Sequence, residues 1–339
     1  MKKLIALLLC LVMVFALASV GSPLALAADK PVKLIAYCPD AGAPFQTVEK
    51  FAEIVNAADC GVEVEVHENG TFGVAYEAID STCVGTIDVI CADTSGFSAF
   101  SGFTAFYEPA KVLDLPFLFS DAEQACDIMN GPVGEEIFEG FSELGLVYLG
   151  EGDKGLRQIS DTHQRIHTAD DVEDLRIHVP RIGFASDMWE ALGAIPILMS
   201  LPEFAIALSN GSGFAQDGAP YQLVADATYD NVKYFSNINY MWMGTTIAMN
   251  AKSWDKLSAK QQEVVKAAGY EAGRYGFELI KEANLEGETT LREAGVKFDT
   301  EPDIQSFKDK LDIPAYYDRY EEEIWFNRDL LNAILEATG

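Results

Sequence analysis

The segment Gly155–Arg181, GLRQISDTHQRIHTADDVEDLRIHVPR, gathers the basic side chains best placed to hold an anion. Arg157 stands on one short apolar segment, and a second strand, Leu175–Val179, ends at Pro180. Alternation along that strand puts Arg176 and His178 on one face and Leu175, Ile177 and Val179 on the other. Basic groups from two strands therefore converge, and a planar guanidinium matches a carboxylate with two parallel hydrogen bonds. The competing reading is a solvated edge strand whose basic groups sit beside Asp170, Asp171, Glu173 and Asp174.

Signatures of catalysis are missing from the sequence. There is no Gly-x-Ser-x-Gly, no His-Glu-x-x-His, no phosphate-binding Gly-x-x-x-x-Gly-Lys-Ser/Thr and no Gly-x-Gly-x-x-Gly after the first strand. His163 and His167 are four apart, a metal-like spacing on a helix, but they fall in a polar turn without a third ligand. No cofactor or metal is expected. Asp93 and Thr94 follow an apolar strand, and an acidic and a hydroxyl residue there serve equally as a helix cap or as ligand contacts.

The elements that must carry these residues alternate in type. Val32–Tyr37 reads as a strand, Phe45–Ala58 as a helix, Gly61–His67 as a strand with one wetter face, and the stretch ending at Val84 as a helix. Thr86–Ala92 is apolar throughout, like a strand buried on both faces. This succession predicts an α/β fold with a doubly wound sheet, whose ligands bind at the carboxyl ends of its strands. Helices are expected at 122–130, 133–144, 187–192 and 203–209, and strands at 146–150, 196–199 and 240–250. Ser258 with Gln261 forms a capping box for a long helix towards Gly295, with Gly273, Gly276 and Gly287 as its weak points.

Lys2 and Lys3, an apolar run from Leu4 to about Val20, and Ala25-Leu26-Ala27 form a secretory signal peptide over residues 1–27. An uncleaved anchor is the alternative. The 24 basic residues include two in this leader and the 53 acidic ones none, so the remaining 312 residues carry a net charge of −31. That charge argues against nucleic acid and anionic membranes as partners. An anionic ligand would have to be held against the global field by basic groups focused in a cleft. Cys38, Cys60, Cys83, Cys91 and Cys126 lack Cys-x-x-Cys spacing and read mostly as small buried hydrophobes.

Several short motifs occur in order: Gly70-Thr71-Phe72-Gly73, Gly85-Thr86-Ile87-Asp88, Leu113-Asp114-Leu115-Pro116-Phe117-Leu118-Phe119, Gly131-Pro132-Val133-Gly134 and Ala191-Leu192-Gly193-Ala194. With Arg157-Gln158 after Gly155, and Asp174-Leu175-Arg176-Ile177-His178-Val179-Pro180, the set resembles the solute-binding subunits of tripartite ATP-independent periplasmic (TRAP) transporters of the dicarboxylate-binding type. The resemblance implies a two-lobed periplasmic binding protein fold, each lobe a mostly parallel sheet flanked by helices, with a long helix spanning both. Residues 28–150 would form mainly lobe 1 and 151–240 mainly lobe 2. Residues 241–339 would supply a crossover strand, the long helix and C-terminal helices packing on both lobes.

The resemblance also assigns roles. Arg157 keeps a basic pocket position, and Asp93 and Thr94 fall where the family supplies acidic and hydroxyl contacts. Gln216 and Asp217, in GSGFAQDGAPY, lie where the family carries Val-Asp-Gly-Gln-Glu-Asn-Pro at the pocket edge, under either of two alignments. His178 occupies the position of the arginine that selects carboxylates, Leu201 that of an aromatic residue, and Ala205 that of a tyrosine. Arg176 or Arg181 would have to replace the lost fork, or the solute is less anionic than a C4-dicarboxylate. The implied function is hinge-closing capture of a small organic acid for delivery to TRAP membrane subunits by an exported monomer. An exported enzyme, or a sensor-associated protein binding a less anionic molecule, is the rival.

Overall fold

The computed structural model describes residues 31–94, 103–179 and 183–339. The first strand, β1 (Val32–Tyr37), pairs in parallel with β2 (Val62–His67) and with β3 (Val89–Asp93). Between them run α1 (Ala43–Ala57) and α2 (Ala75–Val84), the latter ended by Gly85 in the left-handed conformation. Alternation decides the layers. Leu34, Ala36 and Cys38, with Val89 and Cys91, pack beneath Phe51 and Val55 of α1, while Tyr37, Ile90 and Ala92 enter a second core on the opposite face.

After α3 (Ala122–Met129) and α4 (Pro132–Ile137), the chain enters β4 (Leu146–Asp161), a single strand of 16 residues. The sequence suggests two short segments there, because Gly150, Gly152 and Gly155 with Glu151, Asp153 and Lys154 break any apolar period. In the fold they are one continuous strand, kept in the sheet by pairing along nearly its whole length with β8 (Tyr234–Asn250), a 17-residue antiparallel partner. Residues between these long strands make a second group: β5 (Arg176–His178), α5 (Gly183–Ala191), β6 (Ile195–Ile197), α6 (Leu201–Ser209), β7 (Ala215–Gly218) and α7 (Pro220–Ala225).

The whole is one curled sheet in the order β2-β1-β3-β8-β4-β7-β5-β6, with β9 (Lys297–Asp299) paired to β8. It has two parallel ends joined through the antiparallel β4–β8 ribbon. After the one-turn α8 (Ala251–Trp254), α9 (Ala259–Glu293) runs 35 residues without a break, about 50 Å at 1.5 Å per residue. The glycines that looked like weak points are its contact face: a Cβ on Gly269 or Gly273 would overlap the backbone of Leu149 or Glu151 in β4, and one on Gly287 the backbone at Pro220 and Tyr221. Three shorter helices, α10 (Ile304–Leu311), α11 (Ile313–Asp318) and α12 (Arg328–Thr338), close the second core.

Candidate functional site

The middle of β4 sets the geometry. Asp153 is opposite Gly244 and Leu156 is opposite Trp242, so β4 advances three residues while β8 advances two. The extra residue is a β-bulge, and Gly155 within it has φ +85°, a conformation that L side chains rarely adopt. Strict alternation would place residues 154 and 157 on opposite faces; the bulge returns Lys154 and Arg157 to one face and leaves Asp153 and Leu156 on the other. Register adds neighbours to the first face. Asp93 and Gly152 both pair with Thr245, and Gly152 lies two residues before Lys154.

Each cation on that face is held by carboxylates. Lys154 Nζ lies 2.6 Å from Asp93 Oδ1 and 3.5 Å from Asp40 Oδ2. Burial pushes Asp93 up to about 6 against the opposing pull of Lys154, so the pair is ionic above that pH. Lys154 itself is raised despite burial, by Asp93 and Asp40. Tyr221 of α7 belongs to the same group: burial pushes its phenol up, Lys154 draws it down, and Asp93, Asp153 and Asp40 add to the rise. Further along β4, Arg157 Nη1 donates to Asp217 Oδ1 at 2.7 Å, with side chains only 3% and 1% exposed. Tyr240 donates to the other oxygen of Asp217, and burial pushes that carboxyl up to about 6 despite Arg157.

The opposite face carries acids of another kind. Glu151 is fully buried and accepts from Thr94 Oγ1 and, at 3.3 Å, from Thr246 Oγ1; burial pushes its carboxyl up to about 8. Asp153 accepts from Trp242 Nε1 at 2.8 Å and from the Gly155 amide at 2.9 Å, and burial pushes it to about 7. A cavity of about 530 Å³ opens there, lined by Asp153, Leu156 and Gln158 with Phe277, Lys281 and Asn284 of α9. None of the residues expected from the sequence to bind solute lines it.

The expected site residues thus divide. Arg157 and Asp217 meet directly, and Asp93 shares their sheet face through Lys154. Thr94 turns away from Asp93, towards Glu151 and Thr246. Gln216 pairs with His178 and Ser160 and directs its amide to the Thr228 carbonyl at 3.4 Å. His178 shares the side of Gln216, not that of Asp217, the next residue along β7. Its ring stacks on Phe204, 4.0 Å between centroids, and its Nε2 donates to the Met199 carbonyl at 3.0 Å. Burial lowers its proton affinity, and the Met199 carbonyl pulls the other way. Arg176 is exposed and lies over the Phe214 ring at 4.4 Å. Leu201 opens α6, with its side chain outside the described residues, as is Arg181.

Sequence reasoning missed Lys154, Asp40, Tyr240 and Glu151. The available signal was Glu-x-Asp-Lys between glycines in a stretch that also had to deliver Arg157 to a sheet: ionisable groups in a central strand mark a buried polar site.

Two half-sheets joined by crossing strands and a shared helix, with ion pairs buried along the crossing, define a two-lobed binding protein. The chain belongs to the bacterial extracellular solute-binding protein family 7, whose model matches residues 37–323. An uncharacterised protein of Sinorhizobium fredii is 28% identical over 76% of the chain, which spans about half of that relative (47%). The 2,3-diketo-L-gulonate-binding periplasmic protein of Escherichia coli is 26% identical over 85% of this chain and 86% of its own. Among solved structures, a TRAP periplasmic solute-binding protein from Chromohalobacter salexigens with bound D-glucuronate superposes with TM-score 0.76 at 23% identity, over 90% of this chain and 99% of that one.

Proposed function

We propose that this protein captures a small organic acid between its two half-sheets and delivers it to the membrane subunits of a TRAP transporter. The observation that carries this reading is Arg157, a buried guanidinium fixed by Asp217 and Tyr240 on the sheet face that also carries Lys154. Preorganised cations in a site that closes over its ligand gain strength as water leaves. Family membership supports the binding role, and the E. coli and C. salexigens relatives, described with 2,3-diketo-L-gulonate and D-glucuronate, support a solute with one carboxylate. The protein acts outside the cytoplasm as a monomer after loss of residues 1–27, and releases its solute unchanged.

The test is a thermal-shift screen of residues 28–339 with organic acids, sugar acids, amino acids and neutral sugars. A carboxylate raises the melting temperature of the wild type, and Arg157→Ala loses that increment relative to its own unliganded melting temperature. Hits confined to neutral sugars, or turnover of the bound compound, would refute the proposal.

A further inference from the structure

Charge on the Lys154–Arg157 face does not balance. Arg157 is matched by Asp217 at 2.7 Å, while the single ammonium of Lys154 stands against two carboxylates, Asp93 at 2.6 Å and Asp40 at 3.5 Å. Asp40, with 35% of its side chain exposed, makes the longer contact and is the accessible member of the pair. Asp226, just beyond α7, has its carboxyl raised by burial against the pull of Lys154, which places another acid within the field of that ammonium. Among the described residues, this face therefore carries an excess of negative charge before any solute arrives. A solute bringing only carboxylate adds to that excess in a partly desolvated site, where unpaired charge is costly.

A second observation points to a ligand on the same face. Thr245 Oγ1 is buried, with no hydrogen-bond partner among the described residues. Thr245 pairs directly with Asp93, on one side, and Gly152 on the other, and its hydroxyl fills the space that a Cβ on Gly152 would take. Buried hydroxyls in native proteins almost always have a partner. Next to a carboxylate, an amine of a ligand can donate to both groups at once.

We infer that the solute is an amino-bearing carboxylate, its carboxylate set at Arg157 and its ammonium at Asp40, Asp93 and Thr245. This deepens the organic-acid reading and rests on it. The bulge at Gly155 makes the two-ended arrangement possible, since it brings the Lys154 and Arg157 ends of the site to one face. Lys154 then shares its carboxylates with the incoming ammonium, and the complex approaches neutrality.

Titration calorimetry on residues 28–339 tests the inference with matched sets of two to six carbons: amino acids carrying the amine at either end, the corresponding hydroxy acids, the unsubstituted monocarboxylates and the dicarboxylates, with D-glucuronate and D-glucosaminate as larger comparators. In the set that binds, the amino-bearing member binds about tenfold or more tightly than its hydroxy and dicarboxylate counterparts. Asp40→Asn reduces that ratio towards one, and Thr245→Val reduces it in part. Carboxylate binding without an amine preference, or a preference unchanged in Asp40→Asn, overturns this inference and leaves the organic-acid reading standing. No carboxylate binding in any set overturns both.

Discussion

Replacing Glu151 by glutamine tests the electrostatics of the crossing strands at their most buried acid. Its side chain is fully buried, and its carboxyl ionises near pH 8 in the fold against 4.5 ordinarily. Between these values the folded state keeps a proton that the unfolded chain releases. Stability therefore falls as pH rises through this window, by at most about 1.4 kcal/mol per pH unit. From pH 5 to pH 7 the loss from this one group is about 2.5 kcal/mol. Glutamine keeps the Oε1 acceptor used by Thr94 and Thr246 but cannot ionise, so the loss disappears. Urea unfolding of both proteins at pH 5, 6, 7 and 8 reads the difference directly. Glu151→Gln is expected to gain about 2.5 kcal/mol on the wild type between pH 5 and pH 7, with little further gain above pH 8. The comparison cancels the contributions of Asp93, Asp153 and Asp217, which are common to both proteins. A difference that stays constant across this range would refute the assignment of a protonated acid at the crossing.

Other expectations follow from the same geometry. Arg157→Ala leaves Asp217 buried without its guanidinium partner and lowers unfolding free energy by about 3 kcal/mol; the same change in an Asp217→Asn background costs markedly less in urea titrations. Gly155→Ala forces a side chain into φ +85° and to 3.0 Å from Asn284 Nδ2. Its unfolding free energy drops by about 1–2 kcal/mol, and its solute affinity falls because the bulge sets the faces of Lys154 and Arg157. His178→Gln removes a neutral ring stacked on Phe204, so any gain in solute affinity at pH 6 over pH 8 survives this substitution in calorimetry. Cys38, whose thiol is raised by burial and by its neighbour Cys91, reacts with iodoacetamide at pH 8 far more slowly in the folded protein than in urea, as mass spectrometry of the labelled peptide will show.

Where local chemistry dictates structure, the sequence was informative. Val32–Tyr37 is a strand over the very residues its pattern suggests. The Ser258 capping box starts α9 as its spacing implies. The ordered motifs identified the family, and Arg157 and Asp217 were both among the candidates. Their mutual contact spans 60 residues and that of Asp93 with Lys154 spans 61, and no periodicity encodes such pairings. Lys154 was hidden because its face depends on a bulge, which a strict two-residue alternation misplaces. The ring stacking of His178 on Phe204 was likewise hidden, because it depends on the register of β5 against β7 and on the placement of α6.

The glycine face of α9 has a mechanical consequence. Gly269 and Gly273 seat the helix against the backbone of β4 beside the first group of strands, and Gly287 seats it against α7 in the second. With β4 and β8 also running unbroken through both, the two halves share three stiff members and no slack tether. Movement of one half against the other must bend or twist these members. Side chains on the sheet faces can then change without moving the members that join the two halves.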